Sequence, residues 1–441
     1  MTTTRNTLRR FGTAWATSLM VVTSIMAADV VKEKFNEDES QVPAYTLPDP
    51  LVSTSGEKID TAEKWTTQRR PELLKIFEEE VYGRTPSTRL EGIRAVVTEG
   101  PADALDGRAT RKQVTIYFTA KDDGPRLDLL IYSPKNKKGS AAFLGYNFIG
   151  NQATIADPAV KLAHGWTQNR EKQGMTNNRA NEESRGTEST RWCIDQIIDR
   201  GYAIATACYG DVDPDFDDGF QNGVEPLFYQ PGQTKPGPDE WGSIGAWAWG
   251  LSRALDYMET DDDIDAKRVA VLGHSRLGKT ALWAGAQDDR FAMVISNNSG
   301  CGGAALSKRW FGETVNRINN VFPHWFCDNF NKYNNNEAAL PVDSHELVAL
   351  IAPRPVYIAS AENDKWADPY GEYLSAVHAD PVYRLLGTNG LGVDPVSDQP
   401  PALNSPLLSG QIGYHYRSGD HDVLPYDWEQ FLAFADRHLK K

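Results

Sequence analysis

The chain has 441 residues, with 46 Lys plus Arg against 60 Asp plus Glu, a formal charge of −14. Hydrophobic residues make up 40% and include 12 Trp, enough to bury a large core, which excludes a disordered tail, a collagen-like repeat and a coiled coil. The acidic balance argues against nucleic acid or an anionic membrane as the main partner, and four Cys without a CxxC pair indicate neither a disulfide scaffold nor a zinc ribbon.

Residues 1–27 carry Arg5, Arg9 and Arg10, then an uncharged run from Phe11 to Ala27 ending at Ala27–Ala28. A basic start, an apolar run and small residues read as an export signal. The alternative, an N-terminal membrane anchor, is disfavoured because the run is short for a bilayer span. Export to a secreted or periplasmic location follows, with one domain over 28–441. In an oxidising compartment Cys193, Cys208, Cys301 and Cys327 are available to pair, though sequence does not say which do.

Along the mature chain, Arg70–Phe77 has apolar residues at helical spacing. Strand-like runs follow at Val114–Phe118, Leu127–Tyr132, Ala141–Tyr146 and Tyr202–Ala207. The acidic, Pro-rich stretch 211–240 reads as a long surface loop. A helix is expected from Ser243 to Met258. Then Val269–Leu272, Ala292–Ser296 and Val356–Ser360 alternate with helical patterns, and a last helix starts near Tyr426. Strands separated by helices predict βαβ crossovers, a mostly parallel central sheet flanked by helices in a three-layer α/β sandwich.

The central motif is Val269-Ala270-Val271-Leu272-Gly273-His274-Ser275-Arg276-Leu277-Gly278-Lys279. An apolar run, Gly-His-Ser, and a small-residue helix make a strand, tight turn and helix, which lifts a serine oxygen above the sheet. The helix N-terminus beside it offers backbone N–H groups to a developing oxyanion. The fit to G-x-S-x-G is imperfect, since Leu277 stands at the second glycine and Gly278 comes one place later. α/β-hydrolases order their triad serine, acid, histidine. Downstream, Glu362, Asp364 and Asp368 follow the run Pro355–Ser360, and His421 lies on a Gly-containing loop after a late strand. Both suit their roles, with His421 preferred to His415, on a strand, and His438, near the chain end.

Gly273-His274-Ser275-Arg276-Leu277-Gly278-Lys279 resembles the nucleophile motif of the glucuronoyl esterases, carbohydrate esterase family 15. Leu47-Pro48-Asp49-Pro50, Tyr82-Gly83-Arg84, Asn147-Phe148-Ile149-Gly150-Asn151, Ser299-Gly300-Cys301-Gly302-Gly303 and Phe311-Gly312-Glu313-Thr314 are similar to its bacterial branch. So are Pro323-His324-Trp325-Phe326, Ile351-Ala352-Pro353-Arg354-Pro355, Glu362-Asn363-Asp364-Lys365-Trp366-Ala367-Asp368-Pro369 and Gly419-Asp420-His421. The resemblance implies an α/β-hydrolase fold and cleavage of esters between (4-O-methyl-)glucuronic acid of xylan and lignin alcohols. It implies Ser275 as nucleophile, His421 as base, Arg276 as oxyanion donor, and Lys279, Glu313 and Trp366 around the sugar. One departure concerns the acid: many members carry a glutamate where this chain has Asn298, and an amide cannot stabilise an imidazolium as a carboxylate does. Some bacterial relatives place the acid on the later loop, so Asp364 is assigned, with Glu362 and Asp368 as alternatives.

No HExxH or comparable set surrounds His324 or His345, and Gly300-Cys301-Gly302-Gly303 lacks the Lys-Ser/Thr pair of a P-loop. The reading therefore needs no metal and no cofactor. It expects a monomer without nucleic-acid partners and with no membrane span after signal cleavage. Two competing readings are an esterase for acetylated xylan or another carbohydrate ester, and a non-catalytic carbohydrate-binding relative. Arg276, Lys279 and Trp366 discriminate against the first, since an acetyl esterase has no uronic ring to hold.

Overall fold

The computed structural model describes residues 1–2, 35–88 and 90–440. The expected export signal, apart from its first two residues, lies outside the described residues. From Phe35 onward the chain forms one unit. Its centre is a nine-stranded sheet of β1 (Arg94–Ala104), β2 (Ala109–Tyr117), β3 (Arg126–Pro134), β4 (Ser140–Asn147), β5 (Ala203–Cys208), β6 (Ile264–His274), β7 (Met293–Asn297), β8 (Val356–Ala361) and β9 (Ile412–Arg417). The spatial order is β1-β2-β3-β5-β4-β6-β7-β8-β9. The β1–β2, β2–β3 and β3–β5 pairs are antiparallel, and every pair from β5 to β9 is parallel.

The parallel strands are apolar on both faces because both are covered. On β6, Val269 and Val271 enter one core while Ala270 and Leu272 enter the other; Val356 and Ile358 against Tyr357 and Ala359 repeat the alternation on β8. The first core is closed by α1 (Arg70–Glu80), α2 (Ser243–Met258), α3 (Arg276–Gln287), α4 (Ser344–Ala349) and α5 (Pro369–Leu385), through residues such as Leu73, Leu255, Leu282, Leu347 and Tyr383. The second is closed by the short helix Ile194–Asp199 and by α6 (Pro425–His438), through Ile197, Trp428 and Phe431. Each fully buried aliphatic contributes about 1.5–3 kcal/mol, so Val271→Asp, placing an unpaired charge under α3, would cost more than any surface change. The expected three-layer α/β arrangement is what the chain adopts.

Three differences from the sequence reading have physical reasons. Strand β1 shows no clean alternation because it is a mostly exposed edge broken by register shifts around Glu99. Helix α5 contains Pro381, which interrupts its pattern, and starts from the Asp368 cap, whose Oδ1 accepts from Gly371 N–H at 2.9 Å. The stretch 211–240 is not simply surface: Val212, Asp213, Val224 and Glu225 are buried. All four cysteines are free thiols. Among the described residues no helix is long and apolar enough to cross a membrane.

Candidate active site

Ser275 stands between β6 and α3 with φ 58° and ψ −130°, a left-handed φ that a non-glycine residue adopts only when its surroundings enforce it. Its N–H donates to Asn297 O at 2.9 Å. Gly273 makes the turn possible, since a Cβ there would stand 1.8 Å from Leu277 O. Gly278 is also tightly packed: a Cβ would come within 2.9 Å of Ser299 Cβ. The second glycine therefore falls one place later than in G-x-S-x-G, at the point where α3 presses on the 299–301 loop. Gly278 N–H donates to Ser275 O at 2.8 Å, so the N–H groups of Arg276 and Leu277, ahead of that bond, carry the positive end of the α3 dipole beside Ser275.

His421 follows β9, and Asp364 follows the end of β8. His421 Nδ1 lies 2.5 Å from Asp364 Oδ2; the histidine side chain is 39% exposed and the carboxylate 4%. A partly exposed imidazole is thus oriented by a buried carboxylate. Burial alone would raise the Asp364 carboxyl, but the hydrogen bond and charge of His421 and the Asn298 amide outweigh it and hold it below the usual carboxylate range. Asn298 Nδ2 donates to the same Asp364 oxygen at 2.8 Å, so the residue at the alternative acid position serves the acid instead of replacing it. Glu362 is exposed. Asp368 accepts from Arg309 Nε at 2.9 Å besides capping α5. Neither competes for His421.

Under His421 lies His274, ring centroids 4.4 Å apart, with Nδ1 2.6 Å from Asn297 Oδ1. Burial, and next the charge of His421, keep the His274 pKa well below its ordinary value, so a neutral ring supports the base.

On the other side, Arg276 pairs with Asp215. Its guanidinium carbon lies 4.6 Å from the Trp325 ring centroid and 5.2 Å from that of Phe322. Asp215 also accepts from Tyr209 OH at 2.7 Å and Trp325 Nε1–H at 2.7 Å, and lies 2.9 Å from His324 Nε2. Burial opposes its ionisation, yet His324, Arg276 and Trp325 hold its carboxyl far below the usual range.

Further along α3, Lys279 Nζ donates to Ser299 O at 2.7 Å, Cys301 O at 2.5 Å and Glu313 Oε2 at 2.8 Å. All three ammonium protons have protein partners, so reaching a sugar hydroxyl requires giving one up. Glu313 N–H donates to Trp366 O at 2.9 Å, joining these two expected sugar-site residues. Trp366 is half-buried, edge-on to Phe35 at 4.8 Å, with Arg317 5.9 Å from its ring centroid.

A family model described as fungal glucuronyl esterase matches residues 229–387. Carbohydrate esterase MZ0003, from an unknown prokaryotic organism, is 51% identical over 428 residues, covering 96% of this chain and 97% of the relative. A promiscuous family 15 esterase from a marine bacterial metagenome superposes with a TM-score of 0.85 at 52% identity, over 92% of this chain and all of that one. The chain belongs to carbohydrate esterase family 15. A glucuronoyl esterase from Solibacter usitatus is 48% identical, with a TM-score of 0.84 over 90% of this chain and 99% of that one. The protein is a carboxylic ester hydrolase.

Of the residues that sequence singles out in this esterase, the structure joins His421 to Asp364 and Lys279 to Glu313, and sets Ser275 and Arg276 side by side at the start of α3. Sequence reasoning missed Asp215, His274 and Glu372. Glu372, wholly buried on α5, accepts from Ser299 N–H at 2.7 Å, Gly300 N–H at 3.1 Å and Ser360 Oγ–H at 2.6 Å, fixing the loop whose carbonyls hold Lys279. Burial pushes its carboxyl up to about 8. The only available signal for Asp215 was its acidic loop, where it is one carboxylate among many.

Proposed function

We propose that the protein hydrolyses esters of (4-O-methyl-)glucuronic acid, such as those joining glucuronoxylan to lignin alcohols. Ser275 would attack the ester carbonyl while His421 takes its proton; as the ester C–O bond breaks, His421 would pass that proton to the departing alcohol, leaving a glucuronoyl-enzyme intermediate that water, activated by His421, hydrolyses to free glucuronate and Ser275. Asp364 would hold the imidazole in its tautomer and stabilise the imidazolium. Arg276 and the first N–H groups of α3 would receive the oxyanion; one such donor is worth roughly 3–4 kcal/mol of barrier. Glu313 and Trp366 would face the uronic ring, with Lys279 fixing Glu313 and the 299–301 loop.

The observation that carries this reading is the 2.5 Å His421–Asp364 contact, with the His421 ring 4.4 Å from that of His274, the residue preceding a serine held at φ 58°. The family adds the substrate class, through relatives described as glucuronoyl esterases. A broader specificity is a second reading, favoured by the 52% identical neighbour described as promiscuous. Export as a single mature domain acting as a monomer completes the proposal, supported by the basic and apolar start of the chain.

The test is hydrolysis of benzyl glucuronate beside an acetylated xylose oligomer, by the wild type and Ser275→Ala. Glucuronate cleavage lost at least ~10⁴-fold in the variant is expected. Release of acetate alone would overturn the substrate, and full turnover by the variant would overturn the nucleophile.

A further inference from the structure

A second polar cluster lies where the antiparallel strands meet the parallel ones. Asp128 stands on β3, Asp211 just beyond the end of β5, and His164 on the loop between β4 and β5. His164 Nδ1 is 3.0 Å from Asp128 Oδ2 and 3.8 Å from Asp211 Oδ1. One potential ligand atom from each residue lies within 4.8 Å of the others. The remaining carboxylate oxygens are committed: Thr115 Oγ1–H donates to Asp128 Oδ1 at 2.6 Å, and Asp128 N–H to Asp211 Oδ2 at 3.2 Å.

Asp211 Oδ1 is different. It is buried, in a side chain 3% exposed, and has no hydrogen-bond partner. Asp128 and Asp211 help line a cavity of about 10 Å³, room for one water-sized particle. Gly165 lets the chain pass beside that oxygen, since a Cβ would stand 3.1 Å from it. The 3.8 Å gap is too long for a hydrogen bond. Two ligands of an ion bound at about 2.0–2.2 Å stand roughly 3.0–3.6 Å apart, so a small movement closes the gap around an ion. Arg126 and Lys161 oppose a cation; Lys161 lines the cavity together with the two carboxylates, and Arg126 is not among its lining residues.

We propose that Asp128, His164 and Asp211 bind one divalent transition-metal ion of zinc-like chemistry. A histidine nitrogen with two carboxylate oxygens suits such an ion, whereas calcium and magnesium take oxygen ligands. The role is structural: the ion ties the His164 loop to β3 and to the start of the segment that carries Asp215 to Arg276. Its three ligands are far apart in sequence, so no spacing motif announces them. The site stands independently of the ester assignment.

The test uses the full chain stripped with chelator and dialysed. Co²⁺ is titrated by visible absorption and Zn²⁺ by thermal unfolding. We expect one Co²⁺ per chain with ligand-field bands, and a rise in Tm of about 3–5 °C at Zn²⁺ a hundredfold above its Kd. Both signals should vanish in His164→Ala and in the near-isosteric Asp211→Asn, whose folding in chelator is checked first by its own unfolding transition; if the alanine variant does not fold, Asp211→Asn decides. No cobalt spectrum and no zinc shift in the wild type would overturn the site. So would equal responses in wild type and Asp211→Asn, which would put the ion elsewhere, at a free thiol or at His421.

Discussion

Two buried carboxylates hold basic side chains near the Ser275 turn, one on His421, which packs on His274, and one on Arg276, and the two are built differently. Asp364 receives His421 and the Asn298 amide. Asp215 gathers Arg276, Tyr209, His324 and Trp325. The first has few donors, and its partner is a partly exposed imidazole. The second has many donors and a partner that never deprotonates. On the proposed mechanism, the group that would cycle a proton is partly exposed and held by one short contact, whereas the group that would present a constant charge is braced from several sides. Aromatic faces of Trp325 and Phe322 add to that bracing by limiting where the Arg276 guanidinium can move.

This contrast can be broken piece by piece. Arg276→Ala should lower kcat by about 10²–10³-fold, with KM for benzyl glucuronate changed far less. An equal loss in KM alone would make Arg276 a binding residue. Asp215→Asn keeps the arginine but loosens it, and about a tenfold drop in kcat is expected; no change would show that Trp325 and Phe322 suffice to place the guanidinium. Trp366→Ala should raise KM about tenfold with kcat within about threefold, and an unchanged KM would remove it from the sugar site.

A smaller effect concerns Glu372, behind the 299–301 loop. Burial raises its folded pKa to about 8 from the ordinary 4.5, so the stability it supports is fully present below about 4.5 and is lost as pH rises toward 8. The Tm of the wild type should therefore fall relative to Glu372→Gln by a few degrees between pH 5 and pH 8. A constant difference would show that Glu372 is ionised throughout.

The comparison also explains what could be read from the sequence. The parallel strands were legible because continuous apolar runs such as Val269–Leu272 are buried on two faces. Ser275 and His421 were legible because their turns are local: Gly273 and the Ser275 turn lie within three residues. The contact of Asp364 with His421 was legible from the place of Asp364 after a strand, whereas the Asn298 amide on the same carboxylate was not. Asp215 was not legible, because four partners from separate segments select it from an acidic loop. Strand β1 and helix α5 were missed because an exposed edge and an internal Pro381 erase the periodicities that reveal such elements.

The measurement that tests the account most directly is kcat on benzyl glucuronate for Asp364→Asn set beside Asn298→Ala. With Asp364 as the acid, the first should fall by about 10³–10⁴-fold, as removing the charge from a triad acid does, while the second should fall by about tenfold or less. A small loss in Asp364→Asn, or the larger loss in Asn298→Ala, would contradict the assignment of the acid and with it the division of labour around Ser275.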